Sequence, residues 1–188
     1  GTTGYSYDDA DRLTTMTPPS GSPVTFTWDN NGNMLSRSDG TTYTWDAANR
    51  LTKTVVTHGS TADSIEFSYD GDGRRTSKSV NGVVSNYLWD TISSLPVILN
   101  EREGNQDTDF VYGHELLSEA GPGGRAYYHP DGLGSTRSLS SPTGQETAGY
   151  KYDAFGAIRG QTGTTKNSFL FSGQQLDMET GLYYLRAR

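Results

Sequence analysis

Two acidic segments of this sequence have the residue types of a cation-binding loop. Residues 29–33 (DNNGN) and 70–73 (DGDG) alternate oxygen-bearing side chains, as calcium loops do. Neither segment is followed by the glutamate at the twelfth position that completes such a loop. Similar segments recur along the chain, and Asp, Asn and Gly are also the residues of tight turns. We therefore expect hairpin turns here and no bound metal.

The side chains that could act in catalysis do not form a recognisable pattern. His58, His114 and His129 lie far apart in the sequence and lack the spacing of a zinc site. Ser135 follows Gly134 but lacks the GxSxG motif of a nucleophile elbow. Paired carboxylates for glycoside hydrolysis stay open among the 22 acidic residues, although most acids stand in turn-like segments. We nominate no catalytic residue and no cofactor.

Composition limits the partners. The 188 residues carry 22 acidic and 15 basic side chains, a formal net charge of −7, which opposes binding to nucleic acid and anionic lipid. No cysteine is present, which excludes disulfides and thiolate sites. No apolar stretch approaches the roughly 20 residues of a membrane span. Apolar residues reach only 32%, but aromatic residues reach 11%, so we expect an ordered chain whose rings supply much of the buried surface.

A repeat in the sequence predicts the secondary structure that positions these residues. Pairs of aromatic residues separated by one residue recur at a mean step of about 20 residues, the range of repeat architectures. We assign the following rings to a structural aromatic ladder: Tyr5, Tyr7, Phe26, Trp28, Tyr43, Trp45, Phe67, Tyr69, Tyr87, Trp89, Phe110, Tyr112, Tyr150, Tyr152, Phe169 and Phe171. Aspartates that follow the pairs are expected to shape turns: Asp8, Asp29, Asp46, Asp70, Asp90 and Asp153.

The spacing of the rings predicts strands. Side chains at i and i+2 share one face of an extended strand, and the turn residues that follow reverse the chain. Each repeat is therefore a β-hairpin, and successive hairpins are predicted to join edge to edge into one antiparallel sheet whose rings stack between neighbouring repeats. Two stretches look less regular, and we expect loops at residues 95–105 and 119–125. The predicted fold class is all-β.

The repeat motif resembles the YD repeat of Rhs proteins, Tc-toxin C components and teneurins. Residues 5–13 and 43–51 fit the pattern YxYDxxxRL. Residues 129–137 (HPDGLGSTR), 150–156 (YKYDAFG), 171–177 (FSGQQLD) and 181–188 (GLYYLRAR) are similar to the Rhs repeat-associated core domain. We divide the chain into YD repeats at 1–125 and core-like repeats at 126–188, continuous as one structural unit. The core motif residues are Gly181, Leu182, Tyr183, Tyr184 and Arg188.

The resemblance implies a curved, spiralling sheet that forms a segment of an Rhs-type shell. Bacterial members enclose a variable C-terminal toxin and cleave themselves through aspartates beyond the position of Arg188. Because those aspartates are not in this sequence, we expect no self-cleavage and no enzyme activity. The implied location is extracellular or at the cell surface.

The function expected is therefore structural. The sheet would enclose a toxin polypeptide or build a surface assembly, and its partners would be other copies at the sheet edges or the rest of a longer parent chain. The alternative is a carbohydrate-binding or adhesive module at the cell surface, in which an outward-facing ring such as Trp45 would stack on glycans.

Overall fold

Residues 1–92 and 95–186 are described by a computed structural model of the chain, and nearly all their regular secondary structure is β-strand. The strands are β1 (Gly4–Tyr7), β2 (Leu13–Thr17), β3 (Val24–Trp28), β4 (Met34–Arg37), β5 (Thr42–Trp45), β6 (Leu51–His58), β7 (Thr61–Tyr69), β8 (Arg75–Val80), β9 (Val83–Asp90), β10 (Val97–Glu103), β11 (Gln106–Tyr112), β12 (Leu116–Gly121), β13 (Gly124–Pro130), β14 (Thr136–Ser140), β15 (Glu146–Tyr152), β16 (Ile158–Gly163), β17 (Gln175–Asp177) and β18 (Leu182–Tyr184). A single 3₁₀ turn spans Phe171–Gly173.

The first sixteen strands form one sheet in strict sequence order. Every strand from β1 to β16 pairs with the next one along the chain, and the pairing is antiparallel throughout. The sheet is open, with β1 and β16 at its edges, and β17 and β18 form a separate two-stranded sheet. The predicted all-β fold with a single antiparallel sheet of hairpins is confirmed. In the described parts of the chain no helix has the length and hydrophobicity needed to cross a bilayer.

The turns of the repeats share one hydrogen-bonding pattern built on aspartate. At Asp46 the backbone N–H donates to Arg50 O at 3.0 Å, while Oδ1 accepts from the N–H groups of Ala48 and Arg50 at 2.9 Å each. The residue between them, Asn49, has φ +58°, a conformation that Asn and Gly adopt most easily. The same bonds recur at Asp8, Asp29, Asp70, Asp131 and Asp153.

Bulges place the second ring of the aromatic pairs that lie in the large sheet. The register shifts by one residue just before Trp45, so that Trp45 lies opposite Leu51 and the returning strand carries one extra residue. Equivalent shifts occur before Tyr7, Trp28, Tyr69, Tyr112 and Tyr152. Because a bulge re-aims the neighbouring side chain, it sets the angle at which the second ring leaves the strand.

One face of the sheet carries the core. Along β7 and β9 the buried residues Ile65, Phe67, Ser85 and Tyr87 alternate with exposed ones, as the two-residue period of a strand requires. The main core cluster extends from Tyr87 on β9 across the sheet to β15, and a second cluster covers the strands β5 to β7. We call the face that carries these residues the covered face.

Three expectations from the sequence are wrong. Residues 95–105 are not a loop, because they contain β10, which pairs with both β9 and β11. Residues 119–125 also form strand, since β12 and β13 meet at a tight turn where Gly121 pairs with Gly124. The last aromatic pair, Phe169 and Phe171, does not mark a strand of the large sheet: Phe169 makes an isolated bridge to Gln175, and Phe171 begins the 3₁₀ turn.

The boundary drawn between the YD repeats and the core-like repeats, at residues 125 and 126, falls inside β13. The sheet continues through it without interruption.

Removing one turn carboxylate should destabilise the fold measurably. Asp46→Ala leaves two backbone N–H groups and the Arg50 guanidinium without their acceptor, so we expect a loss of about 1–2 kcal/mol in the free energy of unfolding. Urea denaturation measures this. Asp46→Asn keeps Oδ1 as an acceptor and should lose less. Asp9→Ala, an exposed residue of the N-terminal turn, is the control. A loss for Asp46→Ala no larger than that for Asp9→Ala would contradict the assignment.

Candidate functional site

Residues 164–186, which we call the strap, lie across the covered face. The strap joins β14 through Thr136, whose N–H donates to Leu170 O at 3.0 Å and whose Oγ1 donates to Phe169 O at 2.7 Å. It contacts β11 through an edge-on packing of Phe169 against Phe110, with ring centroids 4.9 Å apart. Phe169, Leu170 and Leu176 belong to the main core cluster. The strap therefore supplies the second layer that buries the apolar face of the sheet.

The strap is anchored at its far end by a buried arginine of the sheet. Arg75, the first residue of β8, is only 1% exposed. Its Nη1 donates to Asp177 Oδ2 at 2.6 Å, and its Nη2 donates to Gln175 Oε1 at 2.8 Å, so both contacts are with β17. The backbone N–H of Arg75 donates to the hydroxyl of Tyr184 on β18 at 3.0 Å. Both strands of the small sheet are thus fixed on one sheet residue.

Aromatic rings enclose the Arg75 guanidinium. Its central carbon lies 4.4 Å from the ring centroid of Tyr184, 5.2 Å from that of Phe67 and 5.3 Å from that of Tyr87. A cation near ring faces gains an electrostatic attraction that grows when water is excluded. Two rings come from the sheet and one from the strap, so the cation links the two layers.

The buried charge of Arg75 is compensated by the groups that lie around it. Burial disfavours the charged form of Arg75, but the Asp177 carboxylate together with Tyr87 and Tyr69 outweighs burial, so the Arg75 pKa lies above its ordinary value. Burial also raises the pKa of Tyr87, so that hydroxyl stays neutral. Lys78 Nζ lies 3.5 Å from Asp177 Oδ1 and 3.1 Å from Glu179 Oε2, which gives the strap a second ionic contact with β8.

The predicted ladder rings occupy two kinds of position. The first rings of the pairs at Tyr43, Phe67, Tyr87, Phe110 and Tyr150 are buried, and Phe26 is half-buried. The second rings at Trp28, Trp45, Tyr69, Trp89, Tyr112 and Tyr152 are half-buried on the same face. Tyr5 and Tyr7, in the edge strand β1, are 54% and 60% exposed. Trp45 is therefore not outward-facing, which corrects the expectation drawn for glycan binding.

Besides the strand ladder, neighbouring repeats are connected by hydrogen bonds from the second ring. Trp45 Nε1 donates to Met34 O at 2.7 Å, and Met34 is the residue paired with Trp28, the second ring of the preceding repeat. The same link to the preceding repeat is made by Trp28, Tyr69, Trp89 and Tyr152, to Leu13 O, Leu51 O, Arg75 O and Thr136 O. Within the described residues the only near-parallel ring contact, Tyr150 with Tyr152, lies inside one strand.

The turn edge carries a second set of links between repeats. Arg50 Nε donates to its own turn residue, Asp46 Oδ2, at 2.7 Å, and Arg50 Nη1 reaches Asp70 O in the next turn at 3.1 Å. Arg12 makes the same bridge from Asp8 to Asp29 O. Five of the six predicted turn aspartates lie in the shared turn pattern. At the sixth, Asp90 Oδ1 accepts from Ile92 N–H at 2.9 Å.

The described residues of the family core motif, from Gly181 to Tyr184, lie in the strap. Gly181 has φ +70° in the turn between β17 and β18, and Leu182, Tyr183 and Tyr184 form β18. Tyr183 OH donates to Gly156 O at 3.0 Å, in the turn that follows β15. Arg188 lies outside the described residues.

Several residues of this site were missed from the sequence. Tyr128 takes the buried position of a first ring, and Asp131 forms the shared turn with Gly134 at φ +78°. The HPDG segment carried that signal, because a ring precedes an aspartate and glycine there. For Arg75 and Asp177 no local signal exists, since they lie 102 residues apart in sequence.

The candidate catalytic residues are not assembled into a reactive centre. Ser135 is 1% exposed, and its Oγ accepts from Ser172 N–H at 3.0 Å, which is a strap contact. His129 Nε2 lies 2.8 Å from Ser140 Oγ, and Ser140 is buried. In the described ranges 1–92 and 95–186, no group of three His, Asp or Glu side chains could hold a metal ion.

Replacing one partner of the Arg75–Asp177 pair should lower the free energy of unfolding more than replacing both partners. Asp177→Ala leaves a buried guanidinium without its carboxylate, and we expect a loss of about 3–5 kcal/mol in the free energy of unfolding. The double variant Arg75→Met with Asp177→Leu should lose less than Asp177→Ala alone, because no lone charge stays buried. Arg102→Ala, in an exposed ion pair with Asp107, is the matched control and should cost far less than Asp177→Ala, because solvent screens an exposed pair. If the loss in the double variant equals the sum of the losses in the two single variants, Arg75 and Asp177 do not act as a coupled pair and the anchor is refuted.

Comparison with known proteins identifies this architecture. Residues 1–188 match the family model described as Teneurin YD-shell. The tRNA3(Ser)-specific nuclease WapA of Bacillus spizizenii is 36% identical over 194 residues, which cover 100% of this chain and 8% of that protein. The tRNA nuclease WapA of Bacillus subtilis strain 168 is 35% identical over 193 residues, again 100% of this chain and 8% of that protein.

Solved structures show the same fold. The crystal structure of TcdB2-TccC3 aligns with a TM-score of 0.67 at 17% identity, covering 99% of this chain and 12% of that one. The crystal structure of TcdB2-TccC3-Cdc42 aligns with a TM-score of 0.62 at 17% identity, covering 99% and 11%. Hairpins in strict sequence order and a match along the whole sequence lead to the same conclusion: the chain belongs to the teneurin YD-shell family.

Proposed function

We propose that this chain is a wall segment of an Rhs-type shell that encloses a toxin polypeptide in a secreted protein. The observation that carries the proposal is the uninterrupted sheet of sixteen strands, joined repeat to repeat and covered on one face by the strap. A wall needs a continuous surface and fixed neighbours, and both features serve that purpose. No bond-making step is assigned to this segment.

The turn carboxylates support a structural role over glycoside hydrolysis. Backbone N–H donors lower the pKa of Asp8, Asp29 and Asp153 below their ordinary value. A glycosidase needs one carboxylic acid with a raised pKa that keeps its proton near neutral pH. The carboxylates of the turns are instead held ionised by the hydrogen bonds that shape the backbone.

The toxin cargo is inferred from the relatives. Two of them are named as tRNA nucleases, and this chain spans only 8% of their length. We assign nuclease activity in such a protein to its remaining part and the wall to the matching segment. The net charge of −7 suits a wall that does not retain RNA.

The open sheet edges offer the contacts by which a wall would grow. β1 and β16 each have one side without a partner strand in the large sheet. Unpaired edges bind further strands, and the partner proposed here is another YD hairpin, from a longer parent chain or a second copy.

A chimera tests the wall directly. In the Bacillus spizizenii relative, the matching 194 residues are replaced by this chain. We expect the chimera and the unaltered relative to be equally resistant to limited proteolysis, and the chimera to cleave tRNA as the relative does after both are denatured and refolded. The isolated 188-residue chain should leave tRNA intact.

The matched control is the same chimera carrying Asp177→Ala, which weakens the strap and should expose the interior to protease. Equal protease sensitivity of the two chimeras would argue against the wall. Cleavage of tRNA by the isolated chain would assign the activity to this segment instead.

Glycan binding is the second candidate, favoured by the exposed pair Tyr5 and Tyr7. Rings two residues apart on one strand face can stack on a sugar chain. We expect that, if this function holds, the chain is retained on a glycan array and Tyr7→Ala abolishes retention. Tyr127→Ala, a 40% exposed ring on the opposite face, is the control and should leave it intact. An array without retention would exclude this candidate.

A further inference from the structure

Strand β12 carries a glutamate whose side chain lies under the strap. Glu119 is 9% exposed, and its Oε2 lies 2.6 Å from the hydroxyl oxygen of Tyr128 on β13. The same hydroxyl oxygen lies 2.9 Å from Oδ1 of Asn167, in the strap. Three side chains from two strands and the strap therefore meet at one hydroxyl group.

The orientation of the Asn167 amide is fixed by the strap backbone. Its Oδ1 accepts from Phe169 N–H at 2.8 Å, and its Nδ2 donates to Phe169 O at 2.9 Å. The reversed amide would set its NH₂ group against an N–H and its oxygen against a carbonyl, which loses both bonds. Oδ1 therefore faces Tyr128 and can only accept a proton there.

The proton count then decides the state of Glu119. A tyrosine hydroxyl has one proton to donate, and burial raises the pKa of Tyr128 well above its ordinary value, so the hydroxyl keeps that proton. If this proton goes to Asn167 Oδ1, the short contact with Glu119 needs a proton from the carboxyl group. If the proton goes to Glu119, the Tyr128 oxygen faces Asn167 Oδ1 with no proton between them, and Glu119 carries a buried negative charge. Both consequences are unfavourable.

We propose that Glu119 is protonated in the folded chain and that its proton closes a clasp between β12, Tyr128 and the strap at Asn167. Raising the pH removes this proton and loosens the strap at residues 164–170. The clasp makes the covering of the sheet face sensitive to pH.

The surroundings of Glu119 favour the neutral form. Burial raises the pKa of Glu119, the Tyr128 hydrogen bond opposes this, and the carboxyl group of Glu101 on β10 adds to the rise. The pKa of Glu101 is itself raised by burial, against the attraction of Lys78 on β8, Lys166 in the strap and Arg75. The other titratable groups here are phenols, Tyr112 on β11 and Tyr150 on β15, which face Tyr128.

The sign of the pH dependence follows by linkage. Because the pKa of Glu119 is higher in the closed state than its ordinary 4.5, the clasp is strongest below pH 4.5. As the pH rises, the ratio of closed to open strap falls tenfold per pH unit. The ratio stops falling once the pH exceeds the pKa that Glu119 has in the closed state.

Hydrogen exchange on the 188-residue chain tests the clasp. The protection of residues 164–170, corrected for the intrinsic exchange rate, is followed from about pH 5 to about pH 9. We expect it to fall tenfold per unit over part of that range. Glu119→Gln, whose NH₂ donates to Tyr128 at every pH, should remove the fall. Glu101→Gln removes a neighbouring charge, so the fall should end at a lower pH.

Glu115→Gln is the matched control, an exposed glutamate in the same hairpin, and should behave as the unaltered chain does. A direct measurement needs no variant: the side-chain carboxyl carbon of Glu119, assigned through its bonds in an NMR titration of the unaltered chain, should titrate above 4.5. Titration at or below 4.5 would overturn the proposal. A fall in protection that persists in Glu119→Gln would also overturn it.

Discussion

The structure depends on the burial of one face of a very thin sheet. A single sheet cannot bury its apolar face by itself, and in this chain residues 164–186 provide the missing layer. The Arg75 guanidinium fixes where that layer lies, because a buried cation must keep its carboxylate and its hydrogen bonds. A strap shifted by two residues would leave Arg75 facing a side chain other than Asp177. The ion pair therefore fixes the position of the strap on the sheet, and this matters more than its net contribution to the stability of the fold.

The links between neighbouring repeats join the hairpins to one another without a thick core. Backbone pairing connects the strands, and the second ring of each pair adds a bond to a carbonyl of the preceding repeat, as Trp45 does to Met34 O. At the turn edge, arginines such as Arg50 bridge one aspartate turn to the next. Where both links are present, as between the repeats that contain Trp45 and Tyr69, neighbouring repeats are tied at two places besides the strand ladder. These links explain how a chain with few aliphatic residues forms a continuous wall.

The sequence predicted local features well because their causes are local. Ring spacing and Asp-rich turns determine a hairpin within about 20 residues, and the aligned hairpins follow from it. The loop expected at residues 95–105 is wrong because Pro96 and the charged run around Glu101 resemble a break, although Glu101 lies in β10 between two neighbouring strands. Stacking between repeats was inferred from the equal position of the rings in each repeat, whereas bulges turn the second rings toward carbonyl oxygens. The Arg75–Asp177 anchor depends on contacts across the whole chain, which no local pattern carries.

The central claim is that the strap and the sheet form one cooperative unit. Native-state hydrogen exchange by NMR, with increasing denaturant, measures it most directly through the amides of Leu170 and Leu176 in the strap and Ile65 in the sheet. The account predicts that at low pH, where Glu119 is protonated and the clasp is closed, these amides exchange only through global unfolding, with the same free energy for strap and sheet. Strap amides that exchange freely while the Ile65 amide stays protected would contradict it.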